Sequence, residues 1–252
     1  MLRRVKNYIK AKFKKAYYNF YKSLGFEFVP SAYGIKFKKN WADKTFVFYV
    51  KGSYGNYLRN LILSQKTPFV FIDVGVNQGL YSIIAGKSVN CTQVYAFEPV
   101  RETYKMCVEN VVKNSVFDKV DVFPSAISDV NGFLKINITE GHSGKASLKD
   151  YADDTSFEYV NSLNYESLSK MIKCDTRMVV KIDVEGHEEV VIDELFKAAF
   201  AKNIDTLFFE VDERHLDINE LIKLLKEKGF KEFIKLDTNS RNTFHYDVLA
   251  LK

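Results

Sequence analysis

The sequence is sparing with the residues that break or brace a chain. Only four prolines and 12 glycines occur in 252 residues, which excludes a long linker-rich or disordered segment. The three cysteines, Cys91, Cys107 and Cys174, are widely spaced, with no C-x-x-C pair and no metal-like cluster. A disulfide scaffold is excluded, and so sparse and odd a count suits a reducing cytoplasm in which the thiols act as small hydrophobes. No apolar run reaches the roughly 18 residues of a membrane span. The basic N-terminus lacks the apolar core and the small-residue cleavage site of a secretory signal. Acids are missing from residues 1–26, which hold eight basic side chains. The rest of the chain is therefore slightly acidic despite the formal charge of +5. That argues against a nucleic-acid platform and makes the positive charge local.

What is present is material for a large core. The chain is 46% hydrophobic, with 21 Phe and 15 Tyr, and its length suits one sizeable α/β domain. Residues 1–50 read as an extension and residues 51–252 as the main domain. Within the extension, residues 3–24 carry Val5, Tyr8, Ile9, Phe13, Tyr17, Phe20, Tyr21 and Leu24 at helical intervals, with lysines opposite. Such a helix can pack its aromatic stripe on the domain or on a second copy, or lie on an anionic membrane surface. Residues 27–50 read as a small β element, including the β-rich run from Thr45 to Val50.

The main domain is organised around residues 69–82. Phe69 to Val74 is short, apolar and rich in Val, Ile and Phe, as a strand buried on both faces would be. Two glycines and a helical run follow. Strand, acid, glycine turn and helix together build the cofactor crevice of an open α/β sheet, with the next helix offering free N–H groups. Further strands are expected at 93–97, 120–123, 132–138, 178–182, 206–209, 230–236 and 246–251, with helices between them and a polar loop over 139–156. The pattern predicts a mostly parallel sheet with helices on both faces and an antiparallel last strand.

Acids end four of these strands: Asp73, Glu98, Asp183 and Glu210. In an open α/β sheet all four lie at the ligand-binding edge. A dinucleotide fingerprint would need glycine at 75, 77 and 80, where the chain has Gly75, Asn77 and Leu80, and no P-loop Lys-Ser/Thr follows. With Glu98 about 20 residues past the turn, the usual place for a ribose-binding acid, the arrangement suits a cofactor that has ribose hydroxyls but no pyrophosphate. S-adenosyl-L-methionine is such a cofactor, and its sulfonium favours nearby carboxylates.

The residues from Asp73 to Ser82 (DVGVNQGLYS) resemble the Asp-Val-Gly-Ala-Asn-x-Gly-x-Tyr-Ser motif of FkbM-type methyltransferases. Phe97-Glu98-Pro99 resembles the family's second motif, and Lys181 to Glu188 (KIDVEGHE) is similar to its Lys-x-Asp-x-Glu-Gly-x-Glu signature. Val76 stands where Ala is usual. The resemblance spans residues 68–212. It implies a class I, Rossmann-like methyltransferase with a seven-stranded sheet, using S-adenosyl-L-methionine. It further implies O-methylation, often of sugars in bacterial surface polysaccharide such as capsule or lipopolysaccharide, or in natural products. Asp73, Gly75, Asn77 and Gly79, with Tyr81 and Ser82, would hold the methionine end. Glu98, next to Pro99, would take the ribose hydroxyls, and Ser125 and Ala126 would lie near adenine. Asp183 would stand beside the transferred methyl.

An O-methyl transfer needs a base for the acceptor hydroxyl. Asp183, Glu210, Glu185, His187, His142 and His215 are the candidates, and a metal held by these groups is left open. The loop around His142–Ser147 could cover the acceptor, with Lys145, Lys149 or Arg241 meeting a diphosphate if the sugar is nucleotide-linked. RNA or protein methylation is the rival activity, against which the Asp183-Val184-Glu185-Gly186 stretch argues, since amino-group methylation of bases uses an Asn/Asp-Pro-Pro-aromatic motif there. A non-catalytic cofactor-binding scaffold is the rival class.

Overall fold

The structure, a computed structural model, describes residues 17, 19–149, 156–214, 216–236 and 244–252. Most of the helix expected over 3–24 lies outside the described residues, as do His215 and Arg241; residues 19–23 are helical.

A short hairpin opens the described fold, β1 (Phe28–Pro30) pairing antiparallel with β2 (Lys36–Lys38). Next come α1 (Lys44–Lys51) and α2 (Asn56–Ser64). The β-rich run at 45–50 is therefore helix, which corrects the strand expected there. Asp43 caps the helix by accepting from Phe46 N at 2.8 Å, and Gly52 closes it in the left-handed region. Phe46, Tyr49 and Val50 are buried at helical spacing. Caps and packing override the β preference of Thr, Val and aromatic residues.

Seven strands form the central sheet: β3 (Phe69–Val74), β4 (Cys91–Phe97), β5 (Val120–Phe123), β9 (Met178–Ile182), β10 (Ile204–Asp212), β11 (Glu232–Leu236) and β12 (His245–Leu251). Their spatial order is β5-β4-β3-β9-β10-β12-β11, with β12 antiparallel to both its neighbours. The expected mostly parallel α/β sheet, with its last strand reversed, is what forms. The chain leaves β3 in one direction and returns at β9 to build the other half. Their shared carboxyl edge is therefore a topological switch point, where such sheets bind ligands.

Burial explains the apolar runs. Phe69 and Phe71 point into one core with Val94, Val179 and Phe208, while Val70, Ile72 and Val74 point into another with Val180, Ile182 and Phe209. The first core is completed by α1, α2, α3 (Leu80–Lys87) and α4 (Arg101–Lys113), together with Val29 and Phe37 of the hairpin. Residues 28–51 thus share the sheet's core and build none of their own. The second is covered by α5 (Tyr165–Met171), α6 (Glu188–Lys197) and α7 (Ile218–Glu227). A side sheet, β6 (Ser125–Ile127), β8 (Ser156–Leu163) and β7 (Gly132–Ile138) in that order, closes over the crevice on a small core of Val100, Ala126, Ile136 and Val160. Neither β6 nor β8 is expected from the sequence: β6 is three residues long, and β8 buries only Val160 and Ser162. No described helix is long and apolar enough to cross a membrane.

Candidate active site

The turn after β3 is tied to the end of β4 and to itself. Gly75 N and Val76 N donate to Phe97 O at 3.1 and 3.0 Å, Asn77 N donates to Glu98 Oε2 at 2.8 Å, Gln78 N to Asn77 Oδ1 at 2.9 Å and Gly79 N to Val76 O at 3.1 Å. Every N–H from 75 to 79 is satisfied within the protein. The turn is no anion cradle, which agrees with the missing pyrophosphate motif. Gly75 has φ +75°, and a Cβ there would fall 1.9 Å from the backbone oxygen of Asp183, so only glycine lets the ends of β3 and β9 meet.

Beneath the turn lies Lys181, 3% exposed. Its Nζ donates to Val74 O at 3.2 Å and Gly75 O at 2.5 Å, and sits 3.4 Å from Asp73 Oδ1 and 3.8 Å from Asp183 Oδ2. Burial pulls the ammonium's pKa down, but Asp73, Asp183 and Glu98 outweigh it and hold it above the ordinary lysine value. Asp73 also accepts from Ser82 Oγ at 2.7 Å.

A cavity of about 240 Å³ opens at this edge, several times the ~30 Å³ share of one water. Gly75, Asn77, Tyr81, Glu98, Pro99, Ser125 and Ala126 line it, together with Asp183, Glu185, His187, Glu210, His142 and also His245. Asp73, Gly79 and Ser82 do not line it; they sit behind the wall, where Asp73 anchors Lys181 and α3.

Glu98 is 5% exposed, and its oxygens accept from Asn77 N at 2.8 Å and Val100 N at 3.1 Å. Burial, only partly offset by those bonds, pushes its pKa up to about 7. One carboxyl oxygen from each of Asp183, Glu185 and Glu210 lies within 4.8 Å of the other two, a spacing that one hard cation would also fit. Asp183 Oδ2 accepts from Tyr54 Oη at 3.2 Å. The proximity of Asp183, reinforced by burial, raises the Tyr54 pKa well above the phenol value, so the hydroxyl remains a donor. Glu185 is pushed up to about 10 by burial and by Glu210 and Asp183, and so keeps its proton at neutrality. Burial and Asp183 push Glu210 up to about 7. Its Oε1 meets His245 Nε2 at 2.6 Å, and that contact raises the imidazole to about 9. His187, lowered by burial, meets Ser128 Oγ at 3.0 Å. Glu188 accepts from Val184 N and Gly186 N, which fixes the turn that presents Asp183 and Glu185.

The 141–147 loop is stitched to the extension through Asp43, which is 4% exposed. Besides capping α1, Asp43 accepts from Ser143 N at 2.6 Å and Gln78 Nε2 at 2.9 Å. Gly144 N donates to Thr45 Oγ1 at 3.2 Å and Lys44 N to Gly141 O at 3.0 Å. Asp43→Ala would remove the helix cap at Phe46 N and the acceptor shared by Ser143 N and Gln78 Nε2, for an expected loss of roughly 2–4 kcal/mol. Denaturant unfolding checks the loss, and faster native-state proteolysis within 141–147 checks its location.

The family description "Methyltransferase FkbM domain" matches residues 73–232. The chain belongs to the FkbM methyltransferase family. Among solved structures, "Methyltransferase FkbM" from Methylobacillus flagellatus KT shares the fold at TM-score 0.51 and 14% identity, over 77% of this chain and 46% of that one. Sp1610 of Streptococcus pneumoniae, assigned provisionally as a tRNA (m1A22) methyltransferase, gives 0.49 and 14% over 79% and 70%. Methanocaldococcus jannaschii Trm5 in complex with adenosine gives 0.43 and 13% over 79% and 48%. The chain spans about half the length of the first and third of these. No curated protein matches it.

FkbM membership supports methyltransferase activity and implies S-adenosylmethionine as donor. The residues fit that group. A buried carboxyl, Glu98, faces the cavity beside a self-satisfied turn, which suits ribose hydroxyls. Asp183 lines the same cavity, and a carboxylate there suits a sulfonium. Sequence reasoning missed Tyr54, Thr45, Asp43 and His245 of this FkbM methyltransferase. Tyr54, Thr45 and Asp43 lie outside the motifs, in a stretch read partly as strand. His245 could have been found, because β12 runs beside β10 and sets His245 opposite Asp212, two register positions beyond Glu210–Asp247.

Proposed function

We propose that the protein transfers a methyl group from S-adenosylmethionine to a hydroxyl of a saccharide acceptor, during assembly of a bacterial surface polysaccharide. The observation that carries this reading is the acid cluster of Asp183, Glu185 and Glu210, in which one member, Glu210, titrates near neutrality. Carboxyl groups pair well with the hydroxyls of a sugar, and a base near pH 7 suits removal of a hydroxyl proton.

Bound at the Glu98 side, the donor supplies an activated methyl group on a positively charged sulfur. The chain's own residues do the rest. Asp183, oriented by Tyr54, holds the acceptor hydroxyl in line, and proximity contributes much of the acceleration. Glu210 takes the hydroxyl proton, and the His245 imidazolium at 2.6 Å holds the carboxyl in place and balances its charge before transfer. Asn77, Glu98, Pro99, Ser125 and Ala126 form the donor side. Asp73, Gly79 and Ser82 keep the turn rigid from behind. The basic N-terminal segment, expected from the sequence to be an amphipathic helix, would then dock on a membrane or a second copy, in the cytoplasm.

The test is a methyl-transfer screen with labelled donor over nucleotide sugars, oligosaccharides and an RNA transcript. Label on a saccharide, stable to mild base, is expected. Label on RNA alone, or on no acceptor while donor still binds, would overturn the reading.

A further inference from the structure

The cavity has a wall that the FkbM domain does not supply. Thr45, Phe48, Tyr49 and Tyr54 line it, and all four precede the matched residues 73–232. Thr45 and Phe48 lie three residues apart, on one face of α1. Phe48 is 44% exposed, although it borders a cavity whose other lining, Tyr54 apart, is buried or half-buried. A large aromatic side chain left bare at the edge of a cleft marks a place for a ligand to lie against. Tyr54 Oη reaches Asp183, so this wall meets the acid cluster.

The charge of the lining narrows the ligand. Its basic groups are Lys181, His142, His187 and His245. Lys181 is committed to two carbonyls and two carboxylates, and His245 to Glu210. Three carboxyl groups crowd the floor, of which Glu185 keeps its proton and Glu210 is balanced by His245. Their oxygens offer hydrogen-bond partners to hydroxyl or ammonium groups, whereas a ring carboxylate or phosphate would find Lys181 and His245 already engaged.

We infer that residues 44–54 form the acceptor subsite, in which a neutral or amine-bearing pyranose lies against Phe48 and Tyr54 with its hydroxyls toward Asp183, Glu185 and Glu210. This rests on the saccharide reading above. It adds that residues preceding the matched FkbM domain, and not that domain itself, select the acceptor.

The experiment uses the full chain saturated with S-adenosylhomocysteine, so that the donor side is filled. Methyl glycosides of glucose, galactose, mannose, glucosamine and glucuronic acid are titrated by calorimetry and followed by saturation-transfer NMR. At least one neutral or amino glycoside should bind, and the glucuronide should not. Phe48→Ala, and Phe48→Leu as the variant that keeps most of the volume, should weaken that glycoside about tenfold. Affinity for S-adenosylhomocysteine should stay within about twofold. Tyr54→Phe keeps the ring and should weaken binding less than Phe48→Ala. Binding of no glycoside, preference for the glucuronide, indifference to both Phe48 variants, or loss of donor-side affinity instead would each overturn the subsite. Labelled transfer to the same glycosides is read in parallel. Binding that depends on Phe48 without any transfer would sink the activity reading and leave the subsite standing.

Discussion

Glu210→Gln is expected to slow methyl transfer by roughly 10²- to 10⁴-fold, the range for loss of a general base, with little change in donor affinity. The side chain keeps its size and loses the ability to take a proton. Its pKa of about 7 follows from burial and the nearby Asp183. A base works in its deprotonated form, so wild-type activity should rise as pH climbs through about 7. It should fall again near 9, where His245 loses the proton that balances the pair. Glu210→Gln should flatten the lower limb. Single-turnover rates between pH 5.5 and 9.5 check both points. An unchanged rate and an unchanged lower limb would move the base elsewhere, with Asp183 first in line.

The second large effect concerns folding. Lys181→Met keeps the length and volume of the side chain and removes its charge. Asp73 and Asp183 would then face each other across the β3–β9 edge without the ammonium that sits 3.4 and 3.8 Å from them. The carbonyls of Val74 and Gly75 would lose their donor as well. Breaking a buried pair from one side costs about 3–5 kcal/mol, a large part of the roughly 5–15 kcal/mol that a domain has in all. A fall in melting temperature of roughly 6–20 °C is expected. Adding Asp73→Asn should recover part of it, because the two changes share one contact. A single variant as stable as wild type would show that Lys181 is merely accommodated, and that its worth lies elsewhere.

The sheet was legible because its strands are buried on both faces. Phe69 to Val74 and Met178 to Ile182 read as unbroken apolar runs, and strands of that kind leave a strong trace. The acids at the strand ends were legible for a similar reason, since a charge closing an apolar run is conspicuous. Which acids reach the cavity was not legible. Asp73 and Glu98 look alike in sequence, yet one turns inward to Lys181 and Ser82 while the other borders the open space. That difference depends on Lys181, more than 100 positions away from Asp73. The helix over 44–51 escaped because its residues favour strands; the cap at Asp43 and the closing Gly52 were the clues that outweigh them. With that helix went Phe48 and, a few residues on, Tyr54. The side sheet escaped because β6 is short and β8 keeps much of its surface wet.

The turn from Gly75 to Gly79 meets its own hydrogen-bonding needs in the free protein. A loop that waits for a ligand to satisfy its N–H groups is floppy until the ligand arrives, and binding must then pay for its ordering. Here the seat is finished in advance. Donor and spent product should therefore enter and leave a rigid mould, with affinity set by complementarity. Turnover would not wait on refolding of this segment. Hydrogen exchange at residues 75–79 should then be equally slow with and without S-adenosylhomocysteine.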